Sequence, residues 1–593
     1  MRSFAIAFLA LLASAAVPGE AASLPSCDAG TAKYSPCELR FEWNQGELPP
    51  GKSPFRDELL NVAFRGPDAK TFLIPAFWDG GRALRVRFTP NQAGTWTYRV
   101  TSVVKRFDHH QSTFAVSDDS APGFVAVANV RHWWTDNKQP HLWMSAEAQW
   151  LNLDDASFRK WADARKSDGF THIRGILLTE NSHAGKPFSS NSEPDTAYFS
   201  ALDDRVLYAN GLGLTLDLIL ADSSFLKTGA MDTPQQLDPI IRYLVARYGA
   251  LNVCWQGIQH FEDQPHSRAL LEQIGSLLGK YDSFGHPRST DARQTSSMLL
   301  RDGWENYIIE ASANPQLGDV ERQITAAPQI HIIQGIEPNA FRHELWAATT
   351  NGEYPTMRFE ASQNAANIEA MRVWFKIMSN VRHWEFEPFF DVDGARCAGL
   401  DNVEYLLYAQ KPGIVEITFP EKHKYDAHWI NPASGETIEL KDVKQDAFSE
   451  PTPGGQGGWL LQFERTGKKA SMLKSYRFES VSAPIQEIEL DPAKVPFEIV
   501  EPRGHEIDAG KQAPYGVKMT RANRATRSME YLWTGEIVAE GEGPRVIALG
   551  ASGSLDFPIQ LMKTKSALLN VTVSAINAVG KAYSIAKVYQ ISR

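Results

Sequence analysis

Two acids in this 593-residue chain, Glu262 and Glu337, stand where paired carboxylate chemistry would need them. Each follows a short apolar run: NVCWQGI (252–258) leads into QHFED, and QIHIIQG (329–335) leads into IEP. If those runs are the fourth and seventh strands of one barrel, their ends face each other across its mouth. Carboxylates about 5–5.5 Å apart in such a place can split an acetal with retention of configuration. One attacks the carbon; the other protonates the leaving oxygen and then activates water. An acid at a strand end is weak evidence alone, since 70 residues are Asp or Glu and acids favour the first turn of a following helix. The pairing across the mouth sharpens it. Glu262 is therefore read as acid/base and Glu337 as nucleophile, with Glu360, after YPTMRF (354–359), competing for the second role. Glu180, Asn181, His183 and His260 are candidates for holding hydroxyls or tuning the acid. Trp143 and Trp150 are candidates for stacking on a flat apolar ring face, as is Trp346, whereas Trp255 lies inside a strand and reads as core. Glu147, Asp222 and Asp291 end three further runs.

The elements that must position these residues follow from periodicity. Eight apolar runs alternate with helix-like stretches after Val130: 141–145, 171–178, 214–220, 252–258, 287–290, 306–310, 329–335 and 354–359. Intervening segments such as SRALLEQIGSLLGKY and NAANIEAMRVWFKIMSNV carry helical spacing, and several helical stretches end in Gly. Eight strand–helix repeats over some 250 residues predict a (β/α)8 TIM barrel across 129–383. Short alternating strands with turn residues before it predict a β-sandwich over 23–128. The same periodicity after Trp384 predicts two small Ig-like β-sandwiches, 384–482 and 483–593, with PTPGGQGG (451–458) as a loop. The fold class is thus multidomain α/β plus β.

Composition narrows the function. A chain of this length exceeds one core, and 43% hydrophobic with 22% charged residues is ordinary for a globular protein. A net charge of −10 disfavours a nucleic-acid binder held by phosphate contacts. Met1-Arg2, an apolar run from Phe4 to Val17 and small residues to Ala22 read as a secretory signal peptide over 1–22. The expected location is secreted or periplasmic, without membrane insertion of the mature form. In that compartment Cys27 and Cys37 are expected to form a disulfide closing a short loop, while Cys254 and Cys397 read as buried or unpaired thiols. Several motifs fail on chemistry. GELPPGKS (46–53) has P-loop spacing, but Pro49 and Pro50 lack the N–H groups a phosphate cradle uses. HELWA (343–347) has Ala347 where a zinc protease needs a second histidine, and GASGS (550–554) lacks the last glycine of a nucleophile elbow. No metal and no cofactor are expected.

Longer motifs carry a resemblance. Phe77, Trp78, Asp79, Gly80, Arg85, Phe88, Pro90, Gly94, Trp96 and Tyr98 form a run that resembles the N-terminal β-sandwich of secreted bacterial carbohydrate-active proteins. KQPHLWMSAEAQW, LDDRVLYANGLGL and YLVARYGALNVCWQGIQHFED resemble the apiosidase-like (β/α)8 glycoside hydrolases. INPASGETIEL with GGWLLQFE resembles the collagen-binding-type β-sandwich that commonly follows that barrel. The resemblance implies glycoside hydrolysis, with acids after strands four and seven matching Glu262 and Glu337. Related glycosidases place the strand-four acid directly after Asn; this chain reads His260-Phe261-Glu262. The expected function is a secreted retaining glycoside hydrolase acting on a plant or microbial polysaccharide or oligosaccharide. The principal alternative is a catalytically inactive glycan-binding or cell-surface protein on the same scaffold. A peptidase or adhesion role and a polysaccharide lyase are further rivals.

Overall fold

A computed structural model describes residues 24–593 except 129, 265, 441–442, 444–446, 450–457, 469–470, 472–486, 502–511, 540–541, 560–565 and 593. The expected signal peptide, most of PTPGGQGG and the expected boundary at 482/483 lie outside the described residues. At the centre stand eight parallel strands: β1 (Ser145–Glu147), β2 (His172–Leu178), β3 (Thr215–Ala221), β4 (Val253–Ile258), β5 (Arg288–Ser289), β6 (Ile308–Glu310), β7 (Gln329–Ile333) and β8 (Tyr354–Met357). They pair in the order β5-β4-β3-β2-β1-β8-β7-β6. β3 and β4 are buried at every residue, as parallel strands covered on both faces require.

The seam between β5 and β6 is closed by a short reversal. After β5 the chain turns back, and Thr295 bridges Glu310 in antiparallel sense. Ser296 N donates to Ile309 O and Ala311 N to Gln294 O, both at 2.9 Å. Among the described residues, seven helices of ten residues or more surround the barrel: α1 (Asp155–Ser167), α2 (Thr196–Gly211), α3 (Pro234–Tyr248), α4 (Ser267–Tyr281), α5 (Pro315–Ile324), α6 (Pro338–Thr350) and α7 (Ala365–Met378). α5 has no counterpart in the periodicity reading, because four of its ten residues are buried polar or charged groups, Asp319, Glu321, Arg322 and Gln323. Its start is nevertheless written locally, with Asn314 capping Gln316 N and Pro315 in the first turn. The first apolar run, 141–145, overlaps β1 only at Ser145. Its earlier residues approach the barrel from below, where the hairpin Val125–Ala128/His132–Thr135 closes the floor.

The N-terminal unit packs a five-stranded sheet on a three-stranded one. Phe64 and Phe88 stack between them with ring centroids 4.0 Å apart. The conspicuous motif FW-D-G lies at its junction with the barrel. Phe77 packs beneath the guanidinium groups of Arg87 and Arg247, and Asp79 reaches Arg85 at 2.5 Å and Arg247 at 3.2 Å. Asp203 of α2 binds both Arg87 (2.5 Å) and Arg247 (2.9 Å) in a buried network. After the barrel, six- and three-stranded sheets lie within 387–465, and three- and four-stranded sheets within 497–592. Leu406, Tyr408 and Leu460 of the first pair join the barrel's own core. The last pair docks through Leu532, Ala551 and Ile576 on Leu317 and Val320 of α5. Arg268 of α4 reaches Glu536 at 2.5 Å beside that contact. Among the described residues no helix is long and apolar enough to cross a membrane.

The junction network generates a prediction. Its two guanidinium groups hold the Asp203 carboxyl down at about 2 despite burial. A depressed carboxyl contributes stability that is present above its unfolded value near 3.8 and lost as pH falls through the folded one. Asp203→Ala removes the carboxylate shared by two buried guanidinium groups, leaving Arg87 only Glu38 and Arg247 only Asp79 as acidic partners, and should destabilise the sandwich–barrel unit by about 2–4 kcal/mol at pH 7, read as an earlier first transition in urea. The loss should shrink as the pH is lowered towards 2.

Candidate active site

The C-terminal strand ends open onto a cavity of about 310 Å³. Its acids are Glu147 (the last residue of β1), Asp222 (after β3) and Glu360 (after β8); Arg174, Arg358, Asn181, Gln259 and Trp150 also line it. Arg174, in the middle of β2 and 2% exposed, organises this wall. Its Nη1 meets Glu147 Oε1 at 2.5 Å, its Nε donates to Gln256 Oε1 at 2.7 Å, and its Nη2 meets Asp291 Oδ1. A buried guanidinium is tolerated because all three of its faces find acceptors. Asp222 is satisfied locally, accepting from Phe225 N and Ser224 Oγ of its own loop and from Thr179 Oγ1 after β2. Glu147 and Glu360 are the carboxylates left facing the space, and Glu360 Oε2 lies 3.7 Å from Arg358 Nε.

Glu262 sits beside this wall, in a short 3-10 turn after β4. Its carboxylate accepts from Arg293 N (3.0 Å) and Gln294 N (3.0 Å) of the loop that closes the barrel. Burial outweighs those donors and pushes the Glu262 carboxyl up to about 7. His260 precedes it in the left-handed region (φ 47°). Its backbone N–H donates to Asp291 Oδ2 at 3.1 Å, and burial lowers the ring's pKa. Glu337 is exposed at the N-cap of α6. Neither Glu262 nor Glu337 is among the residues lining the cavity.

The other sequence candidates divide. Asn181, Trp150 and Glu360 line the mouth. Trp150 is 1% exposed and donates its indole N–H to Ile176 O at 2.8 Å. It fits because residue 175 is glycine: a Cβ there would come within 2.5 Å of the indole. Glu180 pairs with Lys186 at 2.9 Å and lines an adjoining cavity of about 650 Å³, which Phe55 and Arg56 of the N-terminal unit also border. His183 is exposed on the β2–α2 loop. Trp143 is corrected: it is fully buried before β1, at the barrel floor, with Trp133 4.6 Å and His172 3.7 Å away between ring centroids. A ring enclosed on both faces has none to offer a ligand. Trp346 is likewise buried in the core. Cys27 and Cys37 form a disulfide, and Cys254 and Cys397 are buried free thiols. Arg174 was missed as a site residue, although an arginine inside the apolar run THIRGILL is itself a signal.

Residues 128–314 match the apiosidase-like catalytic-domain family, and residues 30–103 match DUF5060, a domain of unknown function. The apiosidase-like match covers the barrel from its floor to the start of its fifth helix. No sequence among the curated proteins matches the chain. Among solved structures, a Bacteroides vulgatus protein provisionally described as a glycoside hydrolase aligns over 74% of this chain and 100% of its own, with TM-score 0.61 and 17% identity. A glycoside hydrolase family 5 protein from the same organism aligns over 61% and 97%, with TM-score 0.50 and 13% identity. These alignments show a shared barrel fold.

The raised Glu262 carboxyl has a measurable consequence. A raised acid contributes stability that is complete below its unfolded value of 4.5 and is lost as pH rises through about 7. Thermal stability of the wild type should therefore fall across that window by the equivalent of about 1–3 kcal/mol. Glu262→Gln should remove that slope. Arg174→Met, which leaves Asp291 buried without its cation, should cost about 3–5 kcal/mol by denaturant titration.

Proposed function

We propose that this chain is an exported glycoside hydrolase that cleaves a plant or microbial glycan at the barrel mouth with retention of configuration. The observation that carries the reading is Glu262: a carboxyl at the end of β4, fixed by two backbone N–H groups and half-protonated near neutral pH. A general acid needs that balance. In the first step the Glu337 carboxylate bonds to the anomeric carbon as the glycosidic C–O bond breaks, and Glu262 gives its proton to the departing oxygen. In the second, Glu262 takes a proton from water, whose oxygen bonds to the same carbon and expels Glu337. Glu360, which lines the cavity, is the alternative nucleophile. The leader-like N-terminus supports export.

One observation favours a second reading, glycan binding without turnover. Glu337 is exposed outside the cavity lining, and histidine stands at position 260, ahead of the acid. Incubation of the purified protein with a panel of plant and microbial glycans separates the two. The hydrolase reading expects released sugar whose first-formed anomer, followed by NMR, keeps the substrate's configuration. Glu262→Gln and Glu337→Gln should each lower kcat by about 10²–10⁴-fold, whereas loss in Glu360→Gln alone would transfer the nucleophile to residue 360. Binding with no product, unchanged by Glu262→Gln, would establish the second reading.

A further inference from the structure

On the helix-facing side of the barrel, against α5 and α6, lies a second concentration of charge. Glu310 ends β6, His331 lies in β7 and Glu353 immediately precedes β8. All three are buried, with 1%, 2% and 3% exposure. One donor atom from each lies within 4.8 Å of the other two. Glu310 and His331 face each other directly in the ladder register of β6 and β7, and His331 Nδ1 is hydrogen-bonded to Glu310 Oε2. Beside them is a cavity of about 280 Å³, lined by His331, Glu344 and Glu353 and roofed by α6.

An acidic cluster alone would mean little; two features here point to a ligand. Glu353 Oε1 is buried without a hydrogen-bond partner. A lone carboxylate oxygen in that state is costly unless a cation or proton meets it. Its other oxygen is held by Asn351 Nδ2 at 3.2 Å. α5 admits the group only because residue 318 is glycine, where a Cβ would stand 2.5 Å from Glu353 Oε2. The second feature is the imidazole's far side. His331 Nε2 lies 2.8 Å from Glu344 Oε1, and Glu344 is itself fixed by the N–H groups of Gln334 (2.6 Å) and Gly335 (2.8 Å). Metal-binding histidines characteristically hand their second nitrogen to a carboxylate in this way, which sets the tautomer and turns the first nitrogen to the metal.

The geometry points to a divalent transition-metal site, of the Zn²⁺ or Mn²⁺ class, formed by Glu310, His331 and Glu353 with Glu344 as the positioning carboxylate. One imidazole and two carboxylates suit such a cation, with bonds near 2.0–2.2 Å. On binding, the proton shared by His331 Nδ1 and Glu310 leaves to solvent and the cation takes its place between them. The site links three adjacent strands and, through Glu344, the loop leading from β7 to α6. Spacing in the sequence could not reveal it, because its ligands are 21 and 22 residues apart on separate elements.

The test uses untagged full-length protein, stripped with chelator and re-equilibrated with Zn²⁺ or Mn²⁺ alone. After gel filtration, one equivalent of metal by mass spectrometry is expected, with a rise in Tm of about 2–4 °C or more. Glu353→Gln keeps the shape and removes a buried negative charge, so the metal-free variant should be at least as stable as the wild type while losing both the bound equivalent and the rise. X-ray absorption at the zinc edge should show one imidazole and oxygen neighbours. Metal-free wild type after both treatments would overturn the site. So would a Glu353→Gln variant that still binds and gains stability, or a shell of several imidazoles, which would place the ion on surface histidines such as His109 and His110.

Discussion

The guanidinium of Arg174 is the constraint on which the mouth of the barrel depends. It projects from β2 and reaches a carboxylate at the end of β1, an amide in β4 and a carboxylate after β5. One planar group with a fixed fork thereby sets the relative positions of strand ends from both sides of the barrel. Asp291, the last of its partners, also receives the backbone N–H of His260. The turn carrying Glu262 is therefore located by the same ionic centre. A buried charge network of this kind adds little net stability against an apolar core of equal volume. Its value is directional, because its hydrogen bonds specify one arrangement where apolar side chains would accept several.

The barrel was largely legible because its strands and helices obey the simple periods. Runs buried on both faces, such as TLDLILA, stand out from amphipathic helices such as SRALLEQIGSLLGKY; β2 and β4 to β8 fall within the apolar runs that predict them, and β3 extends one residue past its run, to Ala221. Two places resisted. The run HLWMS is apolar because it enters the floor beside Trp133, and the ladder begins only at its last residue; hence Trp143 looked like a mouth residue and is a floor residue. α5 is obscured by the polar groups it buries against its neighbours.

The site was legible by residue type more than by position. Strand ends identify which acids can reach the mouth, but which carboxylate is satisfied locally and which is free depends on loop geometry. Asp222 and Glu360 look alike in sequence. The first is consumed by a serine, a threonine and a backbone N–H, whereas the second faces the cavity. The FW-D-G motif carries a related lesson. Its aromatic and acidic residues suit ligand binding by type, yet Phe77 and Asp79 are taken up by the arginines that fasten the sandwich to the barrel.

The strand reversal after β5 serves two purposes at once. Residues 294–296 supply the ladder contacts that complete the cylinder, and the N–H groups of residues 293 and 294 grip the Glu262 carboxylate. Architecture and proton affinity are consequently tied to one stretch of four residues. An insertion there would loosen the circumference of the barrel and retune the acid together. Variation in this stretch among related barrels should therefore track the acidity at which each works, even where the acid itself is unchanged.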